Sequence, residues 1–360
     1  MLLISTLLNA VPQPLHTIPS MKGKDGDFGA DTYHIWGSNV FVVDNATSSV
    51  KIWNTAKIAY LPQTLIKLKN GASIVDITGD ETHLYLLDAK NSSIIVYTHD
   101  GSYVNEIITK GAPDIQFKDP IRIAVNYQGY LYVLDKGRNE LMSFTREGML
   151  LGKVPINMPV SMTMGADQQL RVLLMKPEYY EVQVYDQKLS LKKSFQVQTI
   201  QDKKDEIADI SLNQFNELYV IYSGSTKIGK VNSEGRLISK STWGSKDKGP
   251  SPSAFLEPST VRAFPWENDV LLGVSDSKQR IVKLFKDTEI SSSNRLKLPE
   301  PTMRPSLEET DNPLMVDYLL SDSLEIFITD SGKDGDASRM IVCRAYGKEK
   351  YSLSPRALGT

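Results

Sequence analysis

The chain has 360 residues, with 43 acidic and 41 basic side chains and a formal net charge of −2. A charge so close to balance provides no overall field that would attract nucleic acid or a strongly charged partner. The single cysteine, Cys343, excludes an internal disulfide and a metal cluster built from cysteines. No run of about 18 apolar residues is present, so the sequence predicts no transmembrane helix.

Residues 1–14 are predicted to form an N-terminal tail or a signal segment. The apolar run over residues 2–8 is similar to the hydrophobic part of a secretory signal, although no Lys or Arg precedes it. We therefore predict a secreted or periplasmic protein, with a cytoplasmic protein as the alternative.

Residues 15–28 can be aligned with residues 104–117, which have the pattern of an outer strand followed by the loop into a new repeat. An outer strand at the N-terminus has no repeat of its own. We expect it to complete the last repeat and so to close a ring without leaving a free sheet edge. Residues 350–354 are the competing donor of that strand.

One pattern recurs along the chain: an Asp that ends an apolar run, then an aliphatic residue, then an aromatic residue. Four copies are clear, two weaker copies keep the spacing without the Asp, and a last copy has the Asp followed by a longer loop. The key positions are Asp44, Asp88, Asp135, Lys176, Tyr222, Asp276 and Asp330. Spacings of this size, between about 40 and 55 residues, are typical of β-propeller blades.

Short apolar runs separated by Gly and acidic turn residues predict strands that are buried on both faces between neighbouring blades. We therefore predict an all-β fold over residues 15–360, a single β-propeller of four-stranded antiparallel blades. The prediction is seven blades, the last at residues 313–355, with six blades as the alternative. Five carboxylates at strand ends are predicted to cap the turns that follow them. These residues are Asp44, Asp88, Asp135, Asp276 and Asp330.

The clearest copy, Phe117 to Gly148, resembles an NHL repeat. The matching residues are Phe117, Pro120, Ile123, Ala124, Val125, Tyr132, Val133, Asp135, Arg138, Asn139, Phe144 and Gly148. Arg122 stands where the NHL pattern has Gly, and Asn126 stands where it has Asp. The resemblance covers most of the chain and implies a β-propeller. Such propellers include binding modules, scaffolds and a few enzymes, so the resemblance alone does not fix a function.

We interpret the protein as a non-catalytic binding or scaffolding module, a monomeric ring with a protein or peptide partner and without a cofactor or metal. Loops on a rigid scaffold usually carry the binding site. The loops after the strand-end Asp positions and the loops into the next blade share one face, which we call the top face. The residues predicted near a partner on that face are Arg138, Tyr179, Tyr180, Lys248 and Arg280.

One alternative is a hydrolase or lyase similar to propeller lactonases, with a divalent metal held on the ring axis by acids of the inner strands. The candidate acids are Asp31, Asp76, Asp209 and Asp317. Alignment of the repeats matches Asp76 with Ile123 but Asp209 with Arg122. Acids that are out of register are not expected to converge on the axis, which argues against this alternative.

A second alternative is RNA binding through basic residues of the top-face loops. These residues include Lys90, Lys136, Arg138, Lys227, Lys278 and Arg280. Aromatic residues that could stack on bases are sparse among them, and the stretch 299–312 is acidic. Both features argue against a nucleic-acid partner.

Overall fold

A computed structural model describes residues 11–21, 28–68, 71–200, 205–238, 242–246, 251–266, 269–288, 323–330 and 339–346. The regular elements in these ranges are β-strands, and no helix that could cross a membrane is found among them. The chain divides into two compact units, Met1–Glu289 and Ile290–Thr360. The signal-like run over residues 2–8 lies outside the described residues, so a secreted or periplasmic location stays a prediction.

The first unit is a ring of six antiparallel blades whose strands follow one another outwards from the ring axis. Blade 1 consists of β2 (Thr32–Trp36), β3 (Asn39–Asp44), β4 (Ser49–Asn54) and β5 (Ala59–Lys67). Blade 2 consists of β6 (Ile74–Gly79), β7 (His83–Asp88), β8 (Ser93–Thr98) and β9 (Tyr103–Ile108). Blade 3 consists of β10 (Pro120–Val125), β11 (Leu131–Asp135), β12 (Glu140–Phe144) and β13 (Leu150–Pro155).

The other three blades continue the ring. Blade 4 consists of β14 (Pro159–Met164), β15 (Leu170–Met175), β16 (Tyr180–Tyr185) and β17 (Leu191–Val197). Blade 5 has three strands in the described residues, β18 (Ile207–Leu212), β19 (Leu218–Tyr222) and β20 (Lys227–Val231). Blade 6 consists of β21 (Pro258–Trp266), β22 (Asp269–Asp276), β23 (Ile281–Asp287) and, at its outer edge, β1 (Gln13–Ile18).

The second strand of each blade is apolar because neighbouring blades cover both of its faces. In β7, for example, the four residues from Leu84 to Leu87 have no exposed surface. Six clusters of buried apolar side chains lie between successive blades, one at each contact around the ring. Burial of apolar surface is the dominant favourable term in folding, so these clusters hold the blades together. The β-propeller that the repeat spacing and the NHL resemblance implied is thereby confirmed.

Strand β1 closes the ring by pairing with β23 as the outer strand of blade 6. The pairing is antiparallel and places Ile18 opposite Val282. The side chain of Ile18 is fully buried in the cluster between blades 6 and 1. The N-terminal strand therefore completes a blade and covers a sheet edge that would otherwise be free. The competing donor, residues 350–354, lies outside the described residues.

The prediction of seven blades was wrong, because the ring has six. Strand β21 of blade 6 lies beside β2 of blade 1, so the circle of inner strands is already complete at that point. The region assigned to a seventh blade contains a hairpin of β24 (Ser323–Asp330) and β25 (Arg339–Tyr346), which belongs to the second unit. A hairpin reproduces the spacing between an Asp and the next strand without being part of a ring, so spacing alone could not separate the two.

Candidate ligand cleft on the top face

In four blades a buried carboxylate at the end of the second strand binds backbone groups of two top-face segments. In blade 3, Asp135 accepts hydrogen bonds from the backbone N–H groups of Lys118 (2.8 Å) and Asp119 (3.1 Å), which precede the inner strand. It also accepts one from the N–H of Arg138 (3.0 Å) in the turn after the second strand. The residues that make the equivalent two sets of contacts in blades 1, 2 and 6 are Asp44, Asp88 and Asp276. Each carboxylate thus ties the loop that enters a blade to the turn that follows its second strand.

Blades 4 and 5 lack this carboxylate. In the strand register, the place of Asp135 is taken by Leu174 in blade 4 and by Tyr222 in blade 5. The sequence alignment put Lys176 in that place, which was wrong because one further strand pair lengthens the hairpin of blade 4. The loops that enter these two blades are therefore not fastened by a strand-end carboxylate.

A cleft of about 590 Å³ opens on the top face above blades 3, 4 and 5. Its apolar lining is formed by the half-buried side chains of Ile121, Val160 and Met175, by the buried Ile207, and by the exposed Met158. The volume lies in the range of about 300–1,000 Å³ that is usual for ligand sites. The cleft lies where the ring departs from its own repeat.

Charged side chains stand on two sides of this cleft. Arg122 and Lys136 belong to blade 3, whereas Glu206 precedes the inner strand of blade 5. The side chains of Lys136 and Glu206 are exposed, and within the described part of the chain neither has an ion-pair partner. Burial raises the pKa of Tyr180 in the cleft, so its hydroxyl group stays neutral near pH 7. The cleft thus combines an apolar middle with a positive and a negative wall.

Tyr180 lines the cleft, as one of the five residues predicted near a partner. Tyr179 is half-buried in the adjacent turn, where its carbonyl oxygen accepts a hydrogen bond from the N–H of Lys176 (2.9 Å). Lys248 lies outside the described residues.

The two predicted arginines are engaged within the ring. Arg138 donates from Nε to Glu140 (2.6 Å) and from its Nη atoms to backbone carbonyls of the loop before blade 3. Arg280 donates from Nη2 to Asp44 (2.7 Å) and Asp31 (3.2 Å) and so joins blade 6 to blade 1. Both side chains stabilise the top face itself.

Sequence reasoning missed Met158 and Glu206 as residues of a site. Neither belongs to a motif, and each precedes an inner strand that carries no conspicuous charge pattern. The signal that could have found them is the absence of the repeated Asp in two consecutive copies, together with Arg122 in place of the Gly of the NHL pattern.

A buried charge network joins the inner strands at the ring axis. Asp209 accepts hydrogen bonds from Nη2 of Arg122 (3.0 Å) and from Nη1 of Arg262 (2.9 Å), and Ser161 donates to it as well. Arg262 also donates from Nη2 to Asp76 (2.6 Å). Burial acts to raise the pKa of Asp209, but the two guanidinium groups and the hydrogen bonds bring it below its usual value. Two carboxylates and two guanidinium groups therefore balance in charge and connect blades 2 to 6.

The prediction that the axial acids are out of register was wrong. Asp76, Arg122 and Asp209 each follow a register shift at the start of an inner strand, and they occupy equivalent places in their blades. The first hairpin turn of blade 2 is one residue shorter than that of blade 3, so counting along the sequence displaced Asp76 by one position.

The axial residues do not fit a divalent metal. Both oxygens of Asp209 already accept hydrogen bonds from guanidinium groups, and Asp76 is paired with Arg262. A metal ion there would lie against permanently charged arginines. Asp31 pairs with the top-face Arg280, and Asp317 lies outside the described residues. Among the described residues, the candidate axial acids are therefore all engaged by arginines.

A histidine whose Nε2 atom has no hydrogen-bond partner among the described residues lies near this network. His34 of β2 stacks on Trp36 and Phe41, with ring centroids 6.3 and 6.5 Å apart, and its Nε2 is buried and unpaired. Burial lowers the pKa of His34 to about 3, and the charge of Arg262 acts in the same direction. The ring of His34 therefore stays neutral in the folded protein.

The free energy of unfolding is expected to fall as the pH is lowered from about 6.5 to about 4.5, because only the unfolded chain protonates His34 in this interval. The loss should approach about 1.4 kcal/mol per pH unit. His34→Gln should remove about 2 kcal/mol of the loss over this interval, as measured by urea unfolding at each pH. Above about pH 7.5 the two proteins should respond alike, and equal acid responses would contradict the assignment.

No family model matches the sequence, and no curated protein matches it either. A catalytically inactive virginiamycin B lyase from Staphylococcus aureus, solved with quinupristin, is similar in structure at 15% sequence identity and a TM-score of 0.50, over 74% of this chain and 98% of that chain. A luciferin-regenerating enzyme is similar at 12% identity and a TM-score of 0.50, over 78% and 93% of the two chains. A nidogen/laminin complex is similar at 13% identity and a TM-score of 0.48, over 64% and 90%. At such low identity these likenesses concern the fold alone, and the fold of this chain is a β-propeller.

Proposed function

We propose that this propeller is a non-catalytic binding module whose top-face cleft takes an extended segment of a protein or peptide partner. One observation supports the proposal most directly: the cleft lies above the two blades that lack the strand-end carboxylate, together with the adjoining blade 3. The strand-end Asp is present in four blades and absent from the two blades beside the cleft. Departures of this kind from a regular repeat are expected at functional sites.

The chemistry of the cleft suits a peptide. Its apolar middle offers a place for one or two aliphatic side chains, and its polar groups can bind the flanking residues. Met158 at the rim is 50% exposed, and a methionine adapts its shape to an apolar partner. The inner strands beneath the cleft are held by the axial charge network, so the site is built on a rigid base.

Peptides selected from a random phage-displayed library for binding to the wild-type protein provide the test. Met158→Asp should weaken the selected peptides by about tenfold or more, because it replaces an apolar contact with a charge. Asp is suited to this position, since Met158 has a φ of 53° and Asp adopts that conformation more readily than most residues. Affinities can be measured by fluorescence anisotropy.

Met149→Asp is the matched control. Met149 is 63% exposed and lies in the hairpin turn after β12, at the end of blade 3 opposite the top face. This variant should bind the selected peptides as the wild type does. Equal affinities for wild type and Met158→Asp, equal losses in both variants, or failure to select any peptide would overturn the proposal.

A further inference from the structure

The charges of the cleft lie on opposite walls. Lys136 is the first residue after Asp135, and its backbone N–H donates to the carbonyl of Asp119 (2.9 Å). Glu206 accepts at its carbonyl from the N–H of Ser223 (2.7 Å), so the backbone of each wall is held in place. The side chains of both charged residues remain exposed. The walls are therefore fixed, and a ligand between them meets a cation on the blade 3 side and an anion on the blade 5 side.

Arg122 adds donors to the positive wall. Its Nε and Nη2 bind Asp209, and its Nη1 donates to the carbonyl of Ile121 (2.9 Å). One N–H on each Nη atom has no acceptor among the described residues, and Arg122 lines the cleft. A carboxylate can therefore be held by Arg122 and Lys136 together, with charge-assisted hydrogen bonds that are stronger than neutral ones.

We propose, on the basis of the proposed function, that the cleft selects its peptide ligand by the order of the charged side chains along the peptide. An acidic side chain lies against Arg122 and Lys136, aliphatic side chains fill the apolar middle, and a basic side chain pairs with Glu206. The bound segment therefore has one fixed arrangement across the cleft.

A peptide fits these walls better than a nucleic acid does. A nucleic acid would bring phosphates past Glu206, which repels them, and it would need exposed aromatic side chains for its bases. Tyr180, the aromatic residue in the cleft, is buried. Opposite charges on two walls select against a ligand with the reverse order, since like charges would then face each other.

Two synthetic peptides with acetylated and amidated ends provide the probe: Gly-Asp-Leu-Leu-Lys-Gly and its charge-exchanged form Gly-Lys-Leu-Leu-Asp-Gly. A short peptide can bind across the cleft in either chain direction. Each peptide is therefore also made with an N-terminal extension, taken from a peptide selected in the phage experiment, so that both are bound in the same direction. The wild type is expected to prefer one of the two joined peptides by about tenfold. The double variant Lys136→Glu with Glu206→Lys should reverse that preference.

Lys118→Glu is the matched control, because Lys118 is an exposed residue of the same top-face loop region in blade 3 but does not line the cleft. It should leave the preference unchanged. Binding that is sensitive to Met158→Asp but indifferent to charge order would overturn this inference and leave the proposed function standing. Loss of the Met158 effect would instead contradict the proposed function. A peptide without Asp but with a free C-terminal carboxylate should bind more weakly, and equal binding would overturn the assignment of an acidic side chain.

Discussion

Arg262→Leu is expected to lower the free energy of unfolding by about 3–5 kcal/mol, the usual cost of leaving a buried charge without its partner. Arg262 donates to both Asp76 and Asp209, and Asp76 has no other cationic partner among the described residues. Without Arg262, the carboxylate of Asp76 would remain buried with a single hydrogen bond, from the N–H of Ile123. Urea unfolding followed by tryptophan fluorescence measures the loss.

Arg146→Leu is the control for this prediction. Arg146 pairs with Asp80 (2.9 Å), but its side chain is 38% exposed, so its removal should cost only about 1 kcal/mol or less. The double variant Arg262→Leu with Asp76→Leu should recover part of the stability, because it removes both members of the buried pair. Arg262→Lys should not restore the wild type, since one ammonium group cannot bridge two carboxylates as a planar guanidinium does. Equal losses of stability for Arg262→Leu and Arg146→Leu would show that the axial charge network does not stabilise the ring more than an exposed ion pair does.

Deletion of residues 1–21 should lower the melting temperature by several degrees and cause the protein to associate. The deletion removes β1, exposes the edge of β23 and leaves a void where Ile18 is buried. Loss of a buried Ile alone costs about 2–5 kcal/mol, and each kcal/mol corresponds to about 1–2 °C in a chain longer than about 250 residues. An uncovered strand edge is a template for pairing with a second chain. Differential scanning calorimetry and light scattering measure the two effects.

A peptide with the sequence of residues 11–20 should reverse both effects when it is added to the shortened protein. A peptide with Ile18→Asp should fail to do so, because the buried position does not accept an unpaired charge. An unchanged melting temperature and a monodisperse sample after the deletion would show that β1 is not needed for ring closure.

The blades with a complete repeat could be predicted from the sequence, and the number of blades could not. Asp44, Asp88, Asp135 and Asp276 mark strand ends because their side chains bind local backbone groups, which leaves a local signature. The count depends on ring closure between β21 and β2, a contact between distant parts of the chain. Asp330 has the same sequence pattern, but it ends a strand of the hairpin in the second unit, and its side chain lies outside the described part of the structure.

The residues of the candidate cleft were harder to predict than the fold for a related reason. Placing the binding surface on the top face led to Tyr180, which lines the cleft. Arg138 and Arg280 were chosen for their charge, but sequence does not show that acids of the same face already bind them. Likewise the convergence of Asp76 with Arg262 depends on turn lengths, and a difference of one residue in a turn moved the alignment off the axis.

The pairing of the first strand with β23 also affects how the protein is made. Ile18 leaves the ribosome long before Val282, its partner in the sheet. At about 5–20 residues per second, the roughly 260 residues between them take about 13–50 s to synthesise. Blades 1 to 5 can form during that time, but the growing chain must carry an unpaired β-strand until translation of blade 6 is finished. The last step of ring assembly is thus tied to the end of synthesis of the propeller, and until then Ile18 lacks the sheet partner and the buried site that it has in the finished ring.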